Sequence, residues 1–145
     1  MSDFRFYHPV EVRYGDLDPQ GHVNNAKHLT YFEQGRVAYM IELGLFTKDQ
    51  SFMEIGVILA DVHLTYLEPI YFGQKIKVGV RVARIGNKSM TWEQTIVDAD
   101  TGKELSKGEV VIVTYDYKTE KTISVPQEWR EKFSRFEGLK GFSGH

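Results

Sequence analysis

The chain has 145 residues, a formal net charge of −2 and no cysteine. A chain of this length can bury roughly two-thirds of its unfolded surface in a single domain. The lack of cysteine excludes a disulfide scaffold, a thiolate nucleophile and Cys-ligated zinc. The balanced charge argues against nucleic acid as the main ligand, because binding a phosphate backbone needs a concentrated basic face.

No apolar run approaches the ~20 residues of a membrane span. The N-terminal residues Met1–Arg5 carry no charged segment followed by an apolar one, as a signal peptide would. We therefore expect a single-domain cytoplasmic protein with no membrane partner.

The first predicted elements are a strand, a loop and a long helix. Loose alternation of apolar residues predicts a strand over Phe4–Tyr14. Gly, Pro, Asp and Asn make Gly15–Asn25 a loop. The helical spacing without proline predicts a helix over Ala26–Leu43. Asn24 or Asn25 is a plausible N-cap for it, since a short side-chain carbonyl accepts a hydrogen bond from an unpaired first-turn amide.

A helical projection places the apolar residues of this helix on one broad side. That side holds Leu29, Phe32, Val37, Met40, Ile41 and Leu43, while Lys27, His28, Gln34, Gly35 and Glu42 fall on the other. Glu33 lies in the middle of the apolar arc, where a carboxylate is costly unless it is paired. Arg36 follows at the spacing of an i,i+3 ion pair.

The remainder of the chain is predominantly β in character. The predicted strands are Gly56–Leu67, Lys75–Ile85, Met90–Val97 and Glu104–Tyr117, followed by a short helix over Pro126–Phe136 and a poorly ordered tail over Gly138–His145. The run Val110–Val113 is expected to be buried on both faces. One long helix followed by an antiparallel meander predicts an α+β fold with the sheet curled around the helix.

Five polar side chains that suit catalysis fall within ten residues before the long helix: Asp16, Asp18, His22, Asn24 and Asn25. A helix N-terminus offers unpaired amides and a partial positive charge, so a carbonyl docked there would be polarised. A neighbouring carboxylate can act as nucleophile or general base. The alternative is a loop whose Asp and Asn side chains only cap backbone amides.

The stretch Tyr14–Asn25, with Tyr31-Phe32-Glu33 and Arg36, resembles the hotdog-fold acyl-CoA thioesterases, in particular the 4-hydroxybenzoyl-CoA thioesterase group. Its specific part is Asp-x-Asp with Gly21 three positions after the second Asp. The Gly-His-Val-Asn-Asn string also resembles plant-type acyl-carrier-protein thioesterases. The resemblance implies a long central helix wrapped by a curved antiparallel sheet. We expect one domain over residues 1–145, with a core over about 4–117 and a C-terminal extension over about 118–145.

The resemblance also implies a site and a reaction. Asp18 is expected to be the catalytic carboxylate, as nucleophile or general base, and the backbone amide of Asn25 to polarise the thioester carbonyl. An acyl-CoA thioester would then be hydrolysed to a carboxylic acid and CoA without cofactor or metal. The candidate substrate-binding residues are His22, Asn24, His28, Glu33 and Lys88. Many relatives have a Tyr where this chain has His28.

Several of these residues have a second interpretation. His22 either contacts substrate and orients Asp18 or stabilises the loop. Glu33 either forms a structural ion pair with Arg36 or acts as the helix carboxylate that some hotdog branches use for catalysis. Lys88 is either a contact for CoA phosphates or a solvated turn charge. A metal site is not expected, because no two histidines have the spacing of ligands on one element.

A single hotdog leaves a sheet edge open, and such edges favour pairing. The resemblance implies a homodimer with a continuous sheet, usually doubled to a homotetramer, with active sites between subunits. Two alternative functions are a non-catalytic acyl-CoA-binding hotdog protein and a hotdog hydratase or dehydratase. The sequence leaves open the preferred acyl chain and the choice between CoA and acyl-carrier-protein substrates.

Overall fold

The computed structural model describes residues 4–46 and 56–139. Its elements are β1 (Tyr7–Val10), α1 (Asn25–Glu42), β2 (Gly56–Tyr66), β3 (Ile76–Ile85), β4 (Ser89–Asp98), β5 (Glu104–Asp116), β6 (Lys121–Thr122) and α2 (Gln127–Glu137). A short 3₁₀ turn over Tyr14–Asp16 follows β1. The predicted order of elements is confirmed, whereas the two-residue strand β6 was not predicted. Most of the predicted disordered tail, residues 140–145, lies outside the described residues.

The strands form one open antiparallel sheet with the order β1-β3-β4-β5-β2, and β6 pairs with the end of β5. Tyr7 lies opposite Gly79 and Val10 opposite Ile76, which fixes the register of β1 on β3. Strand β2 therefore forms an edge of the sheet. This arrangement confirms the predicted α+β class.

The strand patterns differ in how well they predicted burial. The face of β3 that alternates apolar residues is buried as expected, at Ile76, Val78, Val80 and Val82. In β5, Val110 and Ile112 are buried, but Val111 and Val113 are only half-buried. The prediction that Val110–Val113 is buried on both faces is therefore wrong. Side chains alternate along a strand, so this apolar run covers the core on one face only.

Residue contacts group the chain into two compact units. The first comprises the chain up to Tyr39, Leu64–Val80 and Gln94–Gly108. The second comprises Met40–His63, Arg81–Glu93 and the chain from Glu109 onward. The single-domain organisation over residues 1–145 stays a prediction.

In the first unit, helix α1 packs closely on the sheet. A Cβ atom added to Gly35 would lie 2.7 Å from Val78 Cγ1 and 3.1 Å from Val80 Cγ2. The missing side chain therefore lets the helix backbone approach β3. On β4, Gln94 Nε2 donates to Phe32 O at 2.9 Å, and Arg36 Nη1 donates to Gln94 Oε1 at 2.9 Å.

The buried face of α1 differs from the predicted apolar arc. His28 is 2% exposed and Gly35 is buried, although both were placed on the polar side. Ile41, placed in the apolar arc, is 56% exposed. Glu33 is exposed as well, so its expected position in the buried arc is wrong. Gly35 is buried because the helix backbone approaches β3 there, and His28 can be buried because its ring has a polar partner. The distribution of apolar residues along the helix predicts neither.

In the second unit, a buried arginine anchors helix α2. Arg130 is 4% exposed, and its Nε donates to Val125 O at 3.0 Å. Its Nη2 donates to the carbonyls of Gly86 and Asn87, both at 2.8 Å. Pro126 is the N-cap residue of α2, in agreement with its predicted place near the first turn.

Candidate active site

The loop before α1 is organised around the buried carboxylate of Asp16, which is 2% exposed. Its Oδ2 accepts from Tyr31 Oη at 2.7 Å and from Arg13 N at 3.0 Å. Lys27 Nζ lies 4.0 Å from Oδ1. Burial raises the pKa of Asp16, but the hydrogen bonds and the nearby positive charges outweigh it and leave the pKa below its usual value. Asp16 is thus an ionised structural anchor.

Asp18 lies in a tight turn of the same loop and is partly accessible, with 21% of its side chain exposed. Its Oδ1 accepts from Gln20 N at 2.9 Å, and its backbone carbonyl accepts from Gly21 N at 3.0 Å. Gly21 has φ +87°, which favours glycine at this position. The second oxygen, Oδ2, lies 3.6 Å from His22 Nδ1. One oxygen therefore holds the turn while the other faces His22.

Two asparagines form the start of helix α1. The Oδ1 atom of Asn24 accepts from Ala26 N at 2.9 Å, which confirms Asn24 as the capping side chain. Asn25 is the first helical residue, and Tyr66 Oη donates to its carbonyl at 3.0 Å. Within residues 4–46 and 56–139, no acceptor is found for the backbone amide of Asn25. That amide keeps the donor capacity and partial positive charge of a helix N-terminus.

A cavity of about 220 Å³ opens beside this helix start, in the first unit. Its lining residues are His22, Val23, Asn25, His28, Tyr66, Leu67, Glu68 and Pro69. The structure thus brings three of the predicted site residues to one cavity: His22, Asn25 and His28. Asp18 adjoins the cavity through its contact with His22.

His28 is held in the cavity wall by two contacts. Its Nδ1 atom lies 2.9 Å from Ser106 Oγ. Its ring meets the Tyr66 ring edge-on, with 4.8 Å between the centroids. Burial lowers the pKa of His28 to about 4, so the imidazole is neutral at pH 7. Sequence reasoning did not select Ser106, because this residue lies 78 positions away and only the register of β5 brings it to the helix.

Three predicted substrate-binding residues do not line the cavity: Asn24, Glu33 and Lys88. Glu33 is exposed on α1. Burial lowers the pKa of Arg36, and the negative charge of Glu33 opposes that shift. The ion pair between the two side chains stays a prediction. Lys88 is exposed in the second unit, where its carbonyl accepts from Thr114 N at 3.2 Å. Substrate roles for Asn24, Glu33 and Lys88 stay predictions.

Residues 4–46 and 56–139 contain neither a metal-ligand cluster nor a membrane-spanning helix. No three His, Asp or Glu side chains come together there as a set of metal ligands. None of the helices described is long and apolar enough to cross a membrane.

The fold and sequence are similar to those of several known proteins, thioesterases among them. A thioesterase from Thermus thermophilus, crystallised with coenzyme A and Zn, is 31% identical, with a TM-score of 0.81 over 95% of this chain and 98% of that one. The PA5185 protein from Pseudomonas aeruginosa PAO1 is 27% identical, with a TM-score of 0.83 over 92% of each chain. The long-chain acyl-CoA thioesterase FadM of Escherichia coli K12 is 26% identical over 131 residues, covering 87% of this chain and 95% of FadM.

These similarities confirm the predicted hotdog fold and the class of enzyme, a thioester hydrolase. The model of the Thioesterase-like superfamily matches residues 12–133, and the chain belongs to that family. The finer placement in the 4-hydroxybenzoyl-CoA thioesterase group stays a prediction.

Proposed function

We propose that the protein hydrolyses an acyl-CoA thioester to a free carboxylic acid and CoA, at the cavity beside the start of α1. The observation that carries this proposal is the backbone N–H of Asn25, a residue of the cavity wall, which has no acceptor among the described residues. The carboxylate of Asp18 lies next to the same cavity. The coenzyme A bound to the Thermus thermophilus thioesterase and the name of FadM support CoA as the thiol part of the substrate.

In the proposed reaction, the thioester carbonyl oxygen accepts a hydrogen bond from the Asn25 amide. Negative charge develops on that oxygen during attack, and a fixed amide donor stabilises it without rearrangement. The helix N-terminus adds a favourable partial positive charge.

Asp18 promotes attack on the thioester carbonyl carbon in one of two ways. As nucleophile, its carboxylate adds to the carbonyl carbon and expels the CoA thiolate, and water then hydrolyses the resulting mixed anhydride. As general base, it takes a proton from a water molecule whose oxygen adds to the carbonyl carbon, and the CoA thiolate leaves and acquires the proton. His22, whose Nδ1 lies 3.6 Å from Asp18 Oδ2, positions the Asp18 carboxylate in both routes.

The proposal is tested by measuring free-thiol release from short-chain, medium-chain, long-chain and aromatic acyl-CoAs. Asp18→Asn should lower kcat by at least ~10²-fold, because it removes the nucleophile or base. Asp116→Asn is a matched control, since Asp116 Oδ1 also accepts from the amide two residues later, at 2.8 Å, but in the second unit. This control should retain the wild-type rate.

Three outcomes would contradict parts of the proposal. Cleavage that is unimpaired in Asp18→Asn would exclude Asp18 and make Glu33 the next carboxylate to test. Cleavage of an acyl-carrier-protein thioester but of no acyl-CoA would change the substrate. Binding of acyl-CoA without cleavage of any thioester would favour the non-catalytic binding protein.

A further inference from the structure

His28 presents one ring nitrogen that forms no hydrogen bond with residues 4–46 or 56–139. The side chain is 2% exposed and lines the cavity next to Asn25. Ser106 Oγ meets Nδ1. No other described residue forms a hydrogen bond with the ring, so Nε2 is unpartnered within the described part of the chain. An unpartnered polar atom on a cavity wall is suited to a ligand.

The contact with Ser106 decides which nitrogen carries the proton. Ser106 is 0% exposed, and Nδ1 is the one acceptor that the described residues offer to its hydroxyl. A buried hydroxyl donates where it can, so the Ser106 O–H donates to Nδ1. A neutral imidazole has one donor and one acceptor nitrogen. With Nδ1 as acceptor, the proton lies on Nε2, which is therefore a donor.

We infer that His28 Nε2–H is a second donor to the thioester carbonyl oxygen, beside the Asn25 amide, and that Ser106 fixes the tautomer that makes it so. Asn25 and His28 are three residues apart on the first turn of α1, and residues at that spacing lie on the same face of a helix. Both line the same cavity. This inference rests on the proposed hydrolysis and assigns to His28 the stabilisation of the developing oxyanion.

Two nonhydrolysable ligands test the contact directly, each carrying the acyl chain that the hydrolysis panel selects. In the ketone analogue CH₂ replaces the sulfur and the carbonyl remains, whereas in the thioether analogue CH₂ replaces the carbonyl. His28→Phe should weaken binding of the ketone analogue at least ~10-fold and leave the thioether analogue unchanged. Its kcat should fall by about 10²–10³-fold, as for loss of one oxyanion donor.

Further variants keep the test decisive if His28→Phe does not fold. His28→Gln retains an amide donor and should keep more activity than His28→Phe. Ser106→Ala removes the hydroxyl that fixes the tautomer of His28. It should lower kcat and weaken binding of the ketone analogue, while binding of the thioether analogue stays unchanged. His63→Phe is the control, because His63 is exposed on β2 and belongs to the other unit.

The outcomes separate this inference from the proposed function. Equal weakening of both analogues would show that His28 only supports packing, and no weakening of either would show no contact; each result overturns the inference alone. A wild-type protein that cleaves no acyl-CoA and binds neither analogue would overturn the proposed function and this inference together. Cleavage that is lost in Asp18→Asn but normal in His28→Phe would leave the proposed function intact and overturn this inference.

Discussion

Asp16 and Asp18 are two residues apart in the loop before α1, yet their surroundings differ. Asp16 is buried and accepts from Tyr31 and from the backbone of Arg13. Asp18 is partly exposed and faces His22. The accessible carboxylate is the one suited to attack a substrate, while the buried one is already occupied by its donors.

The buried carboxylate of Asp16 is expected to stabilise the fold. Asp16→Asn removes a charged acceptor from two hydrogen bonds, so the free energy of unfolding should fall by about 1.5–3 kcal/mol. Tyr31→Phe removes only one donor and should cost less. Urea denaturation followed by circular dichroism measures both. An Asp16→Asn variant as stable as wild type would contradict this role.

His28 should make stability depend on pH. Its pKa is about 4 in the folded protein, against about 6.5 in the unfolded chain, so the unfolded state binds the proton first as pH falls. Stability is then complete above pH 6.5 and is lost progressively down to pH 4, by roughly 3 kcal/mol. The depressed pKa of Asp16 acts at lower pH, below its usual value near 3.8.

Urea unfolding at several pH values between 7 and 4.5 measures this dependence. His28→Phe has no imidazole to protonate, so its unfolding free energy should vary less over the same range. A variant with the same pH dependence as wild type would show that other groups cause it.

At the scale of the element, α1 is positioned by contacts that its apolar residues do not reveal. Gly35 allows the helix backbone to approach β3, and Gln94 joins β4 to the helix through Phe32 O and Arg36. Together these contacts set the rotation of the helix, and that rotation is what places Asn25 and His28 at the cavity.

The close approach at Gly35 gives a prediction for the helix. Gly35→Ala should lower the free energy of unfolding by about 1–3 kcal/mol, because the new Cβ would overlap Val78. Gly15→Ala is the control, since nothing lies within 4 Å of a Cβ added there. Val78→Ala in the Gly35→Ala background should recover part of the loss. Thermal or urea melts compare the four proteins, and equal stability of Gly35→Ala and wild type would contradict the close approach.

At the scale of the whole molecule, strand β2 is an edge with little cover. Ile58 and Leu59 are 37% and 41% exposed, and Tyr66 and Leu67 near its end are 44% and 43% exposed. A long edge strand with apolar side chains is suited to pairing with another strand. We therefore retain the prediction of a homodimer or homotetramer built through a sheet edge.

A charge placed on this edge tests the assembly. Leu59→Lys should lower the mass of the particle measured by light scattering after gel filtration, because a lysine at a strand edge opposes pairing. Thr119→Lys adds the same charge to an exposed turn and should leave the mass unchanged. A wild-type protein that runs as a monomer would rule out the predicted assembly.

Some features of this protein follow from the sequence alone, because they depend on neighbouring residues. The loop chemistry from Asp16 to Asn25, the Asn24 cap and the strand alternation are local in this sense. The buried face of α1, the exposure of Glu33 and the partner of His28 are not. Ser106 lies 78 positions from His28, and only the packing of β5 and β4 against the helix brings such distant groups together. Tertiary structure therefore decided which of the candidate side chains meet at one cavity.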